Sequence, residues 1–475
     1  MMTFDKCGEP SVFNPVKLNT DQWAESFVAL GVKEAVLVAK HGCGFTTWPS
    51  NATVPGGNRY NYSVAFSDWQ GGKGDVLAEF LASCNKNNIA TGFYYSLGGS
   101  KFASQMKWSA AEIIEIEKQH LVELWDLYGN HANGGHTEVW FDGGFEGPIQ
   151  PFVEAKLKEL QPQAVAFNGC IQKGAGNNKS LCVTPNSVRW IGTEAGTAPA
   201  SDWSTGYTGG GDPDADIFQP AECDTTLQNG DAWFYNPTIG IRSLATLVGV
   251  YHGTVGRNGF LMLDFAPNQQ GLIADDQVAR YAEFGTWIKS CYGSPLGATT
   301  ITPGPNVSIA FAGPTAVDRV QIREDQTTGQ RIRAYTVEAQ SAGSGAWTTV
   351  ASGTSVGNKW IQLFSNTMTV TALRLRVTAA ADSMLSRVQL VSFEAFLCNR
   401  PSDHGCTVHA DQRVSYTAKE TIATIANSNA AACCAACSSK GTCAVFLVSP
   451  TKDCVLLNAD GVSESAPGWT TGSPN

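Results

Sequence analysis

EVWFDGGFEGP, residues 138–148, decides the fold. Val139, Trp140 and Phe141 form a short apolar run of the kind that favours a strand. The run stops at Asp142, and Gly143 and Gly144 then let the backbone turn sharply. A carboxylate carried to the end of a buried strand is costly to desolvate unless it has partners. Asp142 therefore reads as a nucleophile, with a helix N-cap or a satisfied ion pair as the structural alternative.

Working outward, the same grammar repeats. EAVLVAK (34–40), ATGFYYS (90–96), AVAFNG (164–169), VRWIG (188–192), AWFY (232–235) and GFLMLDF (259–265) are short, rich in β-branched or aromatic residues, and end at polar residues or glycine. Between them, Asp21–Leu30, Val76–Cys84, Ile113–Tyr128, Ile239–Tyr251 and Asp275–Ile288 carry apolar residues at helical spacing. Strands alternating with helices imply parallel βαβ units. Seven strands and the opening MMTF make eight, which predicts an α/β fold, a (β/α)8 TIM-like barrel over residues 1–293. A doubly wound sheet is the runner-up, weakened because no Gly-rich phosphate loop follows any strand.

SPLGATTITPGP (294–305) reads as a linker. Over 306–397 the pattern alternates apolar and polar, as in AYTVEAQ and ALRLRVTAA, and predicts an antiparallel β-sandwich. Six of the fourteen cysteines (Cys406, Cys433, Cys434, Cys437, Cys443, Cys454) crowd into the final stretch, and residues 398–475 read as a small disulfide-rich α+β domain. A zinc reading of Cys434 and Cys437 lacks a second ligand pair. Sequons at Asn51, Asn61, Asn178 and Asn306 fit a secreted glycoprotein, so the expected location is extracellular, although no signal peptide is present in this chain. A net charge of −10 with 32 Lys and Arg argues against a nucleic-acid partner. No apolar run reaches the roughly 18 residues of a membrane helix, so no membrane partner is expected.

In such a barrel, catalytic groups come from the carboxyl ends of strands and the loops after them. The polar groups there are Lys40, His41, Tyr94 to Ser96, Asp142, Asn168, Glu194 and Asp264. Glycoside cleavage uses two carboxylates flanking the scissile bond, about 5–5.5 Å apart for retention and wider for inversion. Glu194 in RWIGTEAG, Glu222 in PAECD and Glu146 in GGFEGP are the candidates to partner Asp142. Trp48, Tyr94, Tyr95, Trp140, Trp233, Phe234 and Tyr235 crowd the same strand ends and could stack on sugar C–H faces; core packing explains many of them. His41 is a candidate donor to a sugar hydroxyl.

These blocks, in this order, resemble glycoside hydrolase family 29, the α-L-fucosidases, across nearly all of residues 3–290. The run includes DQWAESFVALGVKEAVLVAKHGCGFTTWPS, SDWQGGKGDVLAEFLASC, EVWFDGGFEGP, VRWIGTEAG, PAECD, AWFYNP and YHGTVGRNGFLMLDFAPNQQGLI. EVWFDG and RWIGTEAG look most like the subfamily acting on α-1,3/1,4-fucosides. The resemblance implies Asp142 as nucleophile, Glu194 as acid/base and His41 as a fucose contact. Trp48, Trp140 and Trp233 are the next choices for the pocket wall, and Tyr94 and Glu222 are also expected to bind substrate. It also implies a His-Phe-Gly strand ahead of Met1. Two departures stand inside the chain: His41-Gly42-Cys43-Gly44-Phe45 replaces His-His-Asp-Gly-Phe, and Asp264 replaces an asparagine. The 306–397 segment resembles discoidin-like, galactose-binding-type domains, which leaves carbohydrate binding and simple packing against the barrel both open. The tail resembles a PAN/apple-like module.

The expectation is a metal-free, cofactor-free double displacement on terminal α-L-fucose in oligosaccharides or polysaccharides, with Glu194 kept protonated by partial burial beside Asp142. The alternative is a secreted lectin-like protein that binds fucose without cutting it.

Overall fold

The computed structural model describes residues 7–145, 147–169, 186–207, 209–215, 217–341, 343, 345–398, 406–414, 421–425, 433, 437, 445–449, 454–457 and 463–474. The expected opening strand MMTF, Glu146 and the Asn178 sequon lie outside them. Two units are resolved: Met1–Ile241 with Val250–Leu397, and Arg242–Gly249 with Cys398–Asn475.

In the first unit, strands β1 (Glu34–Lys40), β2 (Ala90–Tyr95), β3 (Glu138–Trp140), β4 (Val165–Phe167), β5 (Ser187–Trp190), β6 (Ala221–Thr225) and β7 (Phe260–Leu263) form one sheet in sequence order. Every neighbouring pair is parallel. That is seven strands of a TIM-like domain, with β1 and β7 at its edges. Helices α1 (Thr20–Leu30), α2 (Val76–Lys86), α3 (Lys101–Gln105), α4 (Ala110–Val122), α5 (Gln150–Leu160), α6 (Leu244–Gly253) and α7 (Asp275–Tyr292) are interspersed with the strands, and among the described residues β4, β5 and β6 follow one another with no helix between them.

Local chemistry sets the helix ends. Asn19 accepts from the Gln22 N–H at the start of α1, and Gly31 closes it at φ 89°, a conformation favouring glycine. Trp23 and Phe27, four residues apart, turn inward from α1, each burial contributing roughly 1.5–3 kcal/mol. Ser109 and Glu112 form a reciprocal capping box on α4. That helix continues as a π-helical turn, Glu123–Tyr128, and this extension places the Glu123 carboxylate. A disulfide between Cys7 and Cys43, Cα atoms 5.5 Å apart, ties the chain ahead of α1 to the loop after β1.

One strand expectation and one helix expectation are corrected. AWFY (232–235) is not a strand: the Gln228 amide donates to the carbonyls of Ala232 and Phe234, holding an irregular loop. The strand at that place in the order is Ala221–Thr225, whose two buried acids disguised it. The helix expected from Ile239 starts at Leu244.

The segment read as a linker contributes a strand. β8 (Gly297–Pro303) joins β9 (Asn306–Glu324), β10 (Ile332–Ser341), β11 (Trp347–Gly353), β12 (Trp360–Ala380) and β13 (Gln389–Phe396) in a six-stranded sheet, order β11-β10-β12-β9-β13-β8. The pairings joining these strands are antiparallel. Alternating Thr-Thr-Ile-Thr residues suit an edge strand better than a linker. Its core gathers Val320, Ile322, Val337, Leu373, Leu375 and Phe393, all fully buried.

The second unit contains a five-stranded antiparallel sheet of Cys406–Val414, Thr421–Ile425, Val445–Val448, Cys454–Leu457 and Ser463–Pro474. A disulfide links Cys433 to Cys454. No helix among the described residues is long and apolar enough to cross a membrane.

Candidate active site

Parallel register puts the carboxyl ends of the barrel strands at one mouth. Tyr94 on β2 pairs with Trp140 on β3, and Trp140 pairs with Phe167 on β4. Their rings therefore lie in one layer and stack. Ring centroids are 5.0 Å apart for Tyr94 and Trp140 and 3.8 Å apart for Trp140 and Phe167. His41, just past β1, extends the stack at 5.6 Å from Tyr94, and Phe234 meets its imidazole edge-on.

Asp142 lies two residues beyond β3, its side chain about half exposed at 49%. The Tyr94 hydroxyl donates to its Oδ2 at 2.5 Å, and His41 Nε2 stands 4.0 Å from the same oxygen. Burial pushes the His41 pKa down and favours the neutral imidazole, partly opposed by the Asp142 charge. Glu194, in the loop after β5, is exposed rather than partly buried as expected; the Trp233 indole N–H donates to its Oε2 at 3.0 Å.

One cavity of about 1390 Å³ has His41, Tyr94, Trp140, Asp142, Glu194 and Trp233 on its wall. It also extends between β1 and β7, beneath α1 and α7. Two further expected residues are not on that wall. Trp48 is buried, its indole donating to Glu123 at 2.7 Å and its ring edge-on to His120. Glu222 is 1% exposed within the barrel, accepting from the Trp140 indole at 2.8 Å. Lys40 is also buried, its ammonium donating to the Ser96 carbonyl at 2.5 Å and lying 4.3 Å above the Tyr95 ring.

Sequence reasoning missed Asp224. It lines the same cavity and accepts from the Trp190 indole at 2.7 Å. Burial pushes its pKa up to about 6; the Trp190 bond lowers it, while Glu194 and Asp142 add repulsion. The signal was present: Asp224 follows Glu222 by two residues, so both face one side of a strand, but that strand was not recognised. Among the described residues no three His, Cys, Asp or Glu side chains cluster as metal ligands.

A cavity at the carboxyl ends of the parallel strands of a TIM-like domain, lined by two exposed carboxylates and a stack of aromatic rings, has the composition of a glycoside-hydrolase site. The family model for α-L-fucosidase matches residues 3–293, and the chain belongs to that family. α-L-Fucosidase 1 of Arabidopsis thaliana is 29% identical over 434 residues, 80% of each chain. A Bacteroides thetaiotaomicron protein assigned to the α-L-fucosidases superposes with a TM-score of 0.69 at 28% identity, covering 82% of this chain and 89% of that one. A family 29 fucosidase from Ruminococcus gnavus, solved in complex with fucose, shares the fold with a TM-score of 0.69 at 21% identity, covering 82% of this chain and 88% of that one.

Proposed function

We propose that this α-L-fucosidase releases terminal α-L-fucose with retention, Asp142 acting as nucleophile and Glu194 as acid/base. One observation carries the roles. Asp142 and Glu194 come from different strand ends to one cavity wall, whereas Glu222 is buried away from it.

Tyr94 occupies Oδ2 of Asp142, leaving Oδ1 to attack. In the first step the Oδ1–C1 bond forms as the bond from C1 to the departing oxygen breaks, and Glu194 gives that oxygen its proton. In the second, Glu194 takes a proton from water, whose oxygen bonds to C1 and frees the Asp142 carboxylate. Neutral His41 can accept from or donate to a sugar hydroxyl, and the Tyr94–Trp140 stack offers a surface for the apolar face of fucose. No metal or cofactor takes part in these steps.

Fucosylated oligosaccharides, with α-1,3/1,4-linked fucosides foremost, are the proposed substrates. The Cys7–Cys43 and Cys433–Cys454 disulfides support secretion into an oxidising compartment. Binding without hydrolysis is disfavoured by the family assignment and by two carboxylates on one cavity wall. The test compares 4-nitrophenyl α-L-fucoside and fucosylated oligosaccharides as substrates for wild type and Asp142→Asn. The proposal expects loss of turnover by at least about three orders of magnitude in the folded variant. Near-normal turnover would remove Asp142 from the mechanism.

A further inference from the structure

β6 carries two acids on one face, Asp224 on the cavity wall and Glu222 off it, and each receives an indole from another strand. Trp140 of β3 donates to Glu222, and Trp190 of β5 donates to Asp224. Glu222 and Asp224 are 1% and 5% exposed, so neither carboxyl exchanges its partner for bulk water. Glu222 meets a third acid. Glu138 of β3, 2% exposed, faces Glu222, and neither of its carboxyl oxygens has a hydrogen-bond partner among the described residues. Burial, and then the charge of Glu222 beside it, push the Glu138 pKa up.

From Glu222 a continuous set of contacts runs upward. Its carboxylate fixes the Trp140 indole at 2.8 Å, and that ring stacks on Tyr94 at 5.0 Å with 21° between planes. Phe167 closes the other face of Trp140 at 3.8 Å, so the indole has little room to turn. Tyr94 donates to Asp142 at 2.5 Å. We infer that Glu222 is a positioning residue: through Trp140 and Tyr94 it sets the orientation of the Asp142 carboxylate. This rests on the nucleophile role proposed for Asp142.

The alternative place for Glu222, as acid/base, would require contact with the cavity that its burial denies. The groups facing it are Glu138 from β3, Asp224 from its own strand and Glu34 from β1; all are acids, and no cation lies among the charges perturbing it. The carboxyl is thus held by the Trp140 hydrogen bond with no ion pair among these groups, and removing it leaves the buried indole N–H without its acceptor.

The experiment is a double-mutant cycle of Glu222→Leu with Tyr94→Phe, reading turnover of a fucoside and binding of a fucose-configured iminosugar, whose ammonium pairs with the Asp142 carboxylate. Glu222→Leu is expected to lower kcat about 10- to 100-fold, with KM within about threefold, and to weaken iminosugar binding about tenfold. In the Tyr94→Phe background both effects should shrink to about threefold or less. Glu222→Gln, which keeps an acceptor for Trp140, should lose less than Glu222→Leu. Full additivity, or a Glu222→Leu enzyme within twofold of wild type, overturns the inference. If Glu222→Leu fails to fold, Glu222→Gln decides: an altered pH profile of kcat/KM near neutrality supports the inference and an unaltered one overturns it. Wild type no faster than Asp142→Asn would sink the nucleophile role instead, while the iminosugar cycle still reads whether Glu222 orients Asp142.

Discussion

Replacing Glu222 with glutamine should stabilise the barrel at neutral pH and not at acid pH. Glu222 is buried against Glu138, and burial pushes its pKa from 4.5 up to about 7. A carboxyl with a raised folded-state pKa holds its proton more tightly in the native protein than in the unfolded chain. Its contribution to stability is therefore present in full below pH 4.5 and is lost as pH rises through about 7. Moving a carboxyl that far corresponds to on the order of 3 kcal/mol. Glutamine keeps the shape and the acceptor for Trp140 but never ionises, so the penalty disappears. The assay is urea denaturation of both proteins at pH 4.5, 6 and 8, followed by tryptophan fluorescence, comparing midpoints at each pH. The midpoint of the variant should gain on that of wild type as pH rises. A difference that stays flat with pH, or that favours wild type more at pH 8, would refute the account of this pair.

Other expectations follow from the same geometry. Glu194→Ala should lose turnover on oligosaccharides yet regain it with added azide on an activated fucoside, giving an α-fucosyl azide by two successive inversions; rescue in Glu222→Ala instead would move the acid/base. Trp48→Phe should leave KM for a fucoside within about twofold and lower stability by about 1–3 kcal/mol, because the Glu123 carboxylate loses its indole donor; thermal unfolding and kinetics read both. Cys7→Ser with Cys43→Ser opens a loop spanning 36 residues and should cost about 2–4 kcal/mol, read from the midpoint of barrel unfolding.

Much of the barrel was legible because its strands are short apolar runs punctuated by polar ends. EAVLVAK and ATGFYY fall on β1 and β2 almost residue for residue. The failure at β6 has a physical cause. A strand carrying two acids looks like a loop until one sees that Trp140 and Trp190 satisfy them from other strands, and such cross-barrel pairs leave no local trace. The same blindness hid Asp224 from the site. AWFY misled in the opposite sense: three aromatic residues in a row suggested a strand, but a side-chain amide from Gln228 fixes them as a loop at the mouth. Trp48 shows the limit of counting aromatics near strand ends, since the acid that holds it lies 75 residues further on, in a π-helical turn. Asp142 needed no such knowledge; a carboxylate after VWF and before a glycine pair is visible in one line of sequence.

The central claim, that Asp142 attacks the anomeric carbon, is tested most directly by trapping the covalent intermediate. The enzyme would be incubated with a 2-fluoro-fucosyl fluoride, digested with a protease, and the labelled peptide sequenced by mass spectrometry. The account predicts one fucosyl adduct, on the Asp142 carboxyl, in an enzyme that is otherwise active. An adduct on Glu194, Asp224 or any other carboxyl would contradict it.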